Sequence, residues 1–172
     1  IGFSLGGALT TAASFDNELS KDLHGVILFA PAYAGTVRNY SMWFYAMSFL
    51  DKINLDCNDY INDQKKYDCT KYSTNVFETS DGVEGGHIMS AVAEKNFSEN
   101  KIPALTFFDY DDGVLNSYET KKRMDKWGNK KTKTIIIESG EKDITQHFIV
   151  GFLNPELDEF YIKEISNWIN NL

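Results

Sequence analysis

Few local arrangements accommodate Gly2-Phe3-Ser4-Leu5-Gly6, a Gly-x-Ser-x-Gly pattern within the first seven residues, Ile1 to Gly7. One that does is a tight, strained turn between a buried strand and a helix, which holds the serine hydroxyl out of the sheet. Such a turn favours glycine, because a Cβ at Gly2 or Gly6 is expected to crowd backbone that must approach closely. It also directs Leu5 N–H towards the place where negative charge would develop on a carbonyl attacked by Ser4. Short patterns of this kind also arise in ordinary turns, so the residues that follow decide its weight. A serine nucleophile on this turn needs an acid and then a histidine later in the chain, and Asp112 and His147 stand in that order.

The stretch after the motif supports a layered fold. Ala8, Leu9, Ala12, Ala13 and Leu19 recur at helical spacing from Gly7 to about Ser20, with small side chains suited to close packing on a sheet. Val26-Ile27-Leu28-Phe29-Ala30 is an unbroken apolar run ahead of Pro31, the pattern of a strand buried on both faces of a parallel sheet. From Tyr33 to about Lys101 the strand-helix alternation lapses, which predicts an inserted cap. Its Met- and aromatic-rich segment, Ser41 to Leu50, suits either the wall of an acyl pocket or the core of the cap itself.

Strand character returns at Ile102 to Phe108 and leads into Asp109-Tyr110-Asp111-Asp112-Gly113, with three carboxylates in five residues. A helical stretch, Ser117 to Trp127, follows, so the acidic loop falls at a strand's C-terminal edge, where α/β sheets place their sites. One of the three aspartates is expected to orient a histidine. Lys133 to Glu138 is the clearest strand by β-branched content, and a polar loop connects it to His147. The tail from Pro155 sets Leu157, Phe160, Tyr161, Ile165, Trp168 and Ile169 on one helical face, as a closing helix would. His24, just before the second strand, and His87, read as a loop residue after Gly85-Gly86, have no partner in the pattern and are taken as structural.

Composition removes several classes of function. At 172 residues with 42% hydrophobic content, the chain can bury the core of one domain. Its 17 basic and 25 acidic residues give a net charge of −8 without a long basic run, which argues against nucleic acid as a partner. No apolar run approaches the roughly 20 residues of a membrane-spanning helix. Cys57 and Cys69 lie in a polar stretch with no nearby histidine, which does not suit zinc. They are either free thiols or a disulfide, and a disulfide would favour a periplasmic or secreted setting. Asn39-Tyr40-Ser41 and Asn96-Phe97-Ser98 match the short glycosylation acceptor pattern.

With these motifs in place, the chain resembles the C-terminal part of an α/β-hydrolase, most closely the lysophospholipases, monoacylglycerol lipases and serine aminopeptidases. The resemblance covers nearly the whole chain and rests on Gly2 to Gly7, Val26 to Pro31, Ile102 to Leu105 with Asp112-Gly113-Val114-Leu115, and His147-Phe148. It implies a mostly parallel sheet flanked by helices. Residues 1–33 would supply the nucleophile turn, helix and strand, residues 34–101 a cap insertion, and residues 102–172 the acid and histidine loops and the closing helix.

The family's spacing, with one variable residue and two apolar ones after the acid, selects Asp112 over Asp111 and Asp109. The resemblance further implies a Ser4-His147-Asp112 triad, Leu5 N–H as an oxyanion donor, and a small-molecule or lipid-like ester substrate, with no metal or organic cofactor. A peptidase or acyltransferase on the same triad, and a non-catalytic protein of the same fold, are the alternatives. Two departures stand out. Phe108-Asp109 replaces the family's usual His-Gly ahead of the acid, and the cap from Tyr33 to Lys101 adds no recognisable motif to the resemblance. The family's earlier strands and second oxyanion donor precede the nucleophile turn, so the chain is expected to lack the N-terminal half of its domain.

Overall fold

The computed structural model describes residues 1–36, 52–54, 76–138, 146–151 and 154–172. Among them, β1 (Gly2–Phe3), β2 (Val26–Phe29), β5 (Ala104–Phe108) and β6 (Lys133–Ile136) form one sheet in the order β1-β2-β5-β6, every pairing parallel. Two further strands, β3 (Lys52–Asn54) and β4 (Val76–Glu78), make a separate antiparallel pair. The helices among the described residues are α1 (Leu5–Phe15), α2 (Thr79–Ala93), α3 (Ser117–Met124) and α4 (Asp158–Ile169). None of these helices is long and apolar enough to cross a membrane.

Position in the sheet explains the character of each strand. The central strands β2 and β5 are buried at every residue, which is why both read as unbroken apolar runs. Strand β6 lies at the edge and alternates only weakly, with Lys133 and Ile136 exposed. The Phe29 and Phe107 rings of adjacent strands stack at 5.0 Å. Leu28, Leu105 and Phe107 are sealed from solvent, each contributing about 1.5–3 kcal/mol by burial.

Helix α1 begins and ends earlier than its apolar spacing predicts. It starts at Leu5, directly on the turn, and stops at Phe15 because the Asp16 carboxylate accepts from Leu19 N and Glu18 N at 2.9 and 2.8 Å. That local turn competes with further helix. The same two N–H groups hold the Asp16 carboxyl below its ordinary value, Leu19 contributing most.

The expected cap, 34–101, is described in part. Met89, Val92 and Phe97 from this stretch join the main core, and Phe97 packs edge-on against Phe15, Tyr33 and Trp127. His87 sits on helix α2, not in a loop as Gly85-Gly86 led us to expect. Gly85 lies where α2 meets α1, since a Cβ there would stand 3.3 Å from the Leu5 side chain. The Ser41 to Leu50 segment, Asn39, Cys57 and Cys69 lie outside the described residues.

The tail also departs from expectation. A 3-10 turn at Pro155–Leu157 precedes α4, and Tyr161 and Trp168 are buried while Phe160 and Ile169 are exposed. The apolar face is therefore narrower than the sequence pattern.

Candidate active site

Ser4 stands at the junction of β1 and α1 with φ 52° and ψ −121°, a backbone conformation that costs a non-glycine residue of order 1–3 kcal/mol. Hydrogen bonds on both sides of the residue hold it there. Its N–H donates to Phe29 O at 2.9 Å, and its carbonyl accepts from Gly7 N, Ala32 N and Ala8 N at 2.9, 2.9 and 3.3 Å. Strand β2 and the segment beyond it thus fix the turn from both faces.

The glycines divide differently from expectation. A Cβ on Gly2 would lie 2.3 Å from Gly6 O and 2.4 Å from Thr10 Oγ1, so the turn demands glycine there. At Gly6 the added atom meets nothing within 4 Å, which corrects the expectation that Gly6 is crowded. The crowded neighbour is Gly7, where a Cβ would stand 2.9 Å from Pro31 Cα and Cβ. Gly7 N–H and Ala8 N–H turn back to Ser4 O, while Leu5 N–H, at the exposed start of the helix ladder, meets no acceptor among the described residues.

Asp112 lies in the loop after β5, its side chain 1% exposed. Its Oδ1 accepts from Val114 N at 2.8 Å and Leu115 N at 2.9 Å, and its Oδ2 lies 2.8 Å from His147 Nδ1. A carboxylate this deep needs such partners, because burying a charge without them is strongly unfavourable. The other two aspartates of the loop point elsewhere. Asp109 is buried, with Oδ1 accepting from Asp111 N at 2.9 Å, and Asp111 is exposed. The loop itself is tied to the end of the β2 segment, through Asn116 N to Ala34 O at 2.8 Å and Thr36 N to Val114 O at 3.1 Å.

His147 is buried, and its Nε2 lies 2.9 Å from Ser4 Oγ. With Nδ1–H donating to Asp112, Nε2 is left to accept from the Ser4 hydroxyl. The structure therefore brings Ser4, His147 and Asp112 into one hydrogen-bonded line across 143 residues of sequence separation. His24 and His87 are exposed and stand apart, His87 facing Glu84 at 3.7 Å on its own helix.

Sequence reasoning missed Phe3, whose ring lies 5.1 Å from the His147 imidazole and 6.1 Å from Phe148. Its place between Gly2 and Ser4 was the available signal. Among the described residues, no three His, Cys, Asp or Glu side chains stand together as a metal-binding group.

No protein-family model matches the chain, and no curated protein matches it. Solved structures do, and the fold they define is that of the α/β-hydrolases. A monoacylglycerol lipase from Paleococcus ferrophilus superposes with a TM-score of 0.70 at 17% identity, over 97% of this chain and 65% of that one. A soluble variant of the monoglyceride lipase from Saccharomyces cerevisiae, solved with a substrate analogue, gives 0.71 at 11% identity, over 99% and 60%. A structure from the metagenome-derived lipolytic enzymes LipS and LipT gives 0.63 at 15% identity, over 98% and 63%. The chain thus spans less than two thirds of the length of these three.

Proposed function

We propose that the complete protein is a serine hydrolase that cleaves carboxylic esters through an acyl-enzyme. The observation that carries this reading is the unbroken line from Ser4 Oγ to His147 Nε2 and from His147 Nδ1 to Asp112 Oδ2, with separations of 2.9 and 2.8 Å. Ser4 Oγ attacks the ester carbonyl carbon while its proton passes to His147 Nε2. Leu5 N–H donates to the oxyanion of the tetrahedral intermediate. His147 returns the proton to the departing alkoxide, leaving an acyl group on Ser4. Water then attacks the acyl-enzyme, giving up a proton to His147, which passes it to Ser4 Oγ as the carboxylic acid is released. Asp112 holds Nδ1–H and stabilises the imidazolium in each half.

For substrate, we favour lipid-like esters of glycerol. Support comes from the two neighbours named as monoacylglycerol and monoglyceride lipases. The test uses the complete protein, a fluorophosphonate probe, and a panel of monoacylglycerols, lysophospholipids, short aryl esters and aminoacyl amides. The expected result is labelling at Ser4 and turnover highest on a monoacylglycerol. Preferential cleavage of amides would redirect the reading to a peptidase, and a Ser4 inert to the probe would end it.

A further inference from the structure

Two side chains outside the Ser4-His147-Asp112 line bond the backbone that follows His147. The imidazole follows Gln146, which adopts φ 51°, and its partner Ser4 has φ 52°. Positive-φ backbone at non-glycine residues persists only where the surroundings over-determine it. On the serine side, β2 and Ala32 supply that constraint. On the histidine side, Tyr161 and Asn154 bond the backbone that follows His147.

Tyr161, on α4, donates its phenol hydrogen to Ile149 O at 2.5 Å. Burial is the main cause that pushes this phenol up from its ordinary value, so it stays protonated and remains a donor. Its ring stands edge-on to Phe29 at 5.2 Å and to Phe107 at 5.1 Å, on the strands next to β1 and leading to the Asp112 loop. One side chain therefore references the histidine loop to the strands that present the serine and the acid. Asn154, 1% exposed, donates from Nδ2 to Phe148 O at 2.6 Å and from its backbone N–H to Gly151 O at 3.0 Å. Its Oδ1 is buried and meets no hydrogen-bond partner among the described residues. The Nδ2 bond ties Asn154 to the backbone of the residue that follows His147.

We propose that Tyr161 and Asn154 are positioning residues, which fix the carbonyls of Ile149 and Phe148 so that the His147 ring stands between Asp112 and Ser4. The proposal rests on the serine-hydrolase reading above. In Tyr161→Phe and Asn154→Leu variants of the complete protein, turnover is counted per Ser4 labelled to completion by fluorophosphonate, which cancels any loss of folded protein. We expect kcat per labelled site to fall about tenfold or more in both, because small misplacements of a proton-transfer group are costly. KM should stay within about twofold, since both side chains are engaged with backbone carbonyls after His147. Parental kcat per site in both variants would overturn the proposal, whatever their melting temperatures.

If the parent itself neither labels nor turns over ester, the serine-hydrolase reading fails separately. The positioning claim is then decided by the downfield NMR signal of the His147 Nδ1 proton. Loss of that signal in the variants supports it, and an unchanged signal overturns it.

Discussion

Asp112 meets His147 with one carboxylate oxygen and spends the other on two backbone N–H groups, those of Val114 and Leu115. The acid is thus oriented by its own loop as well as by the histidine. Replacing it by Asn keeps the shape but removes the charge and allows an amide N–H to face Nδ1, favouring the wrong tautomer. We expect Asp112→Asn to lower kcat by roughly 10³–10⁴. Asp111, exposed and one residue earlier, should tolerate Asn with little change. Steady-state kinetics on a single ester checks both, and equal losses would leave the acid unassigned.

The three histidines should separate just as sharply. His147→Ala and Ser4→Ala each remove the group on one side of the 2.9 Å contact, and a unit of this kind loses several orders of magnitude when any member is removed. His24→Ala and His87→Ala change exposed side chains and should leave turnover within about twofold, as surface substitutions generally do. Loss of activity in a folded His87→Ala variant, comparable to that of His147→Ala, would move the base elsewhere.

The nucleophile turn gives a rank order for alanine substitution. At Gly2 the new Cβ would meet backbone at 2.3 Å, and at Gly7 it would press on Pro31 at 2.9 Å, so each should destabilise by about 1–3 kcal/mol or more, Gly2 the worse. At Gly6 the space is open, and Ala in a helix restricts the unfolded chain, so stability should hold or rise by up to about 1 kcal/mol. Denaturant melts of the three variants decide the order, and a Gly6→Ala variant as unstable as Gly2→Ala would contradict it.

Much of this was legible where the determining interaction is local or repetitive. Val26 to Phe29 and Ala104 to Phe108 read as buried strands because neighbours cover both faces of each. The proximity of Ser4, Asp112 and His147 could be anticipated from their order, although choosing among three aspartates required the resemblance. What stayed hidden depends on distant partners. Gly7 rather than Gly6 is crowded because Pro31 returns over the turn. Gly85-Gly86 read as a loop because glycine weakens an isolated helix by about 1 kcal/mol, a local loss that packing against α1 outweighs. Tyr161 showed only as one apolar position on a helix face, and nothing in that pattern reveals that its hydroxyl reaches Ile149 O.

Away from the site, α3 carries a pairing whose pH response has a defined sign. Glu119 accepts from Arg123 Nη1 at 2.5 Å and from Lys122 Nζ at 3.2 Å. These two cations, Arg123 foremost, hold its carboxyl below its ordinary value of 4.5. Because the folded value lies below the unfolded one, the pairing contributes fully above about pH 4.5 and is lost as pH falls through the lowered value. The carboxylate is one-third exposed, so solvent limits the contribution to about 0.5 kcal/mol. Glu119→Gln keeps the side-chain length and the N–H bond to Asn116 while removing the titrating group. Urea melts at about pH 7 and about pH 3 should show the parent losing about 0.5 kcal/mol more than the variant, the remaining carboxylates cancelling in the difference. Parallel losses in the two proteins would mean that the Arg123 and Lys122 contacts do not act on stability in solution.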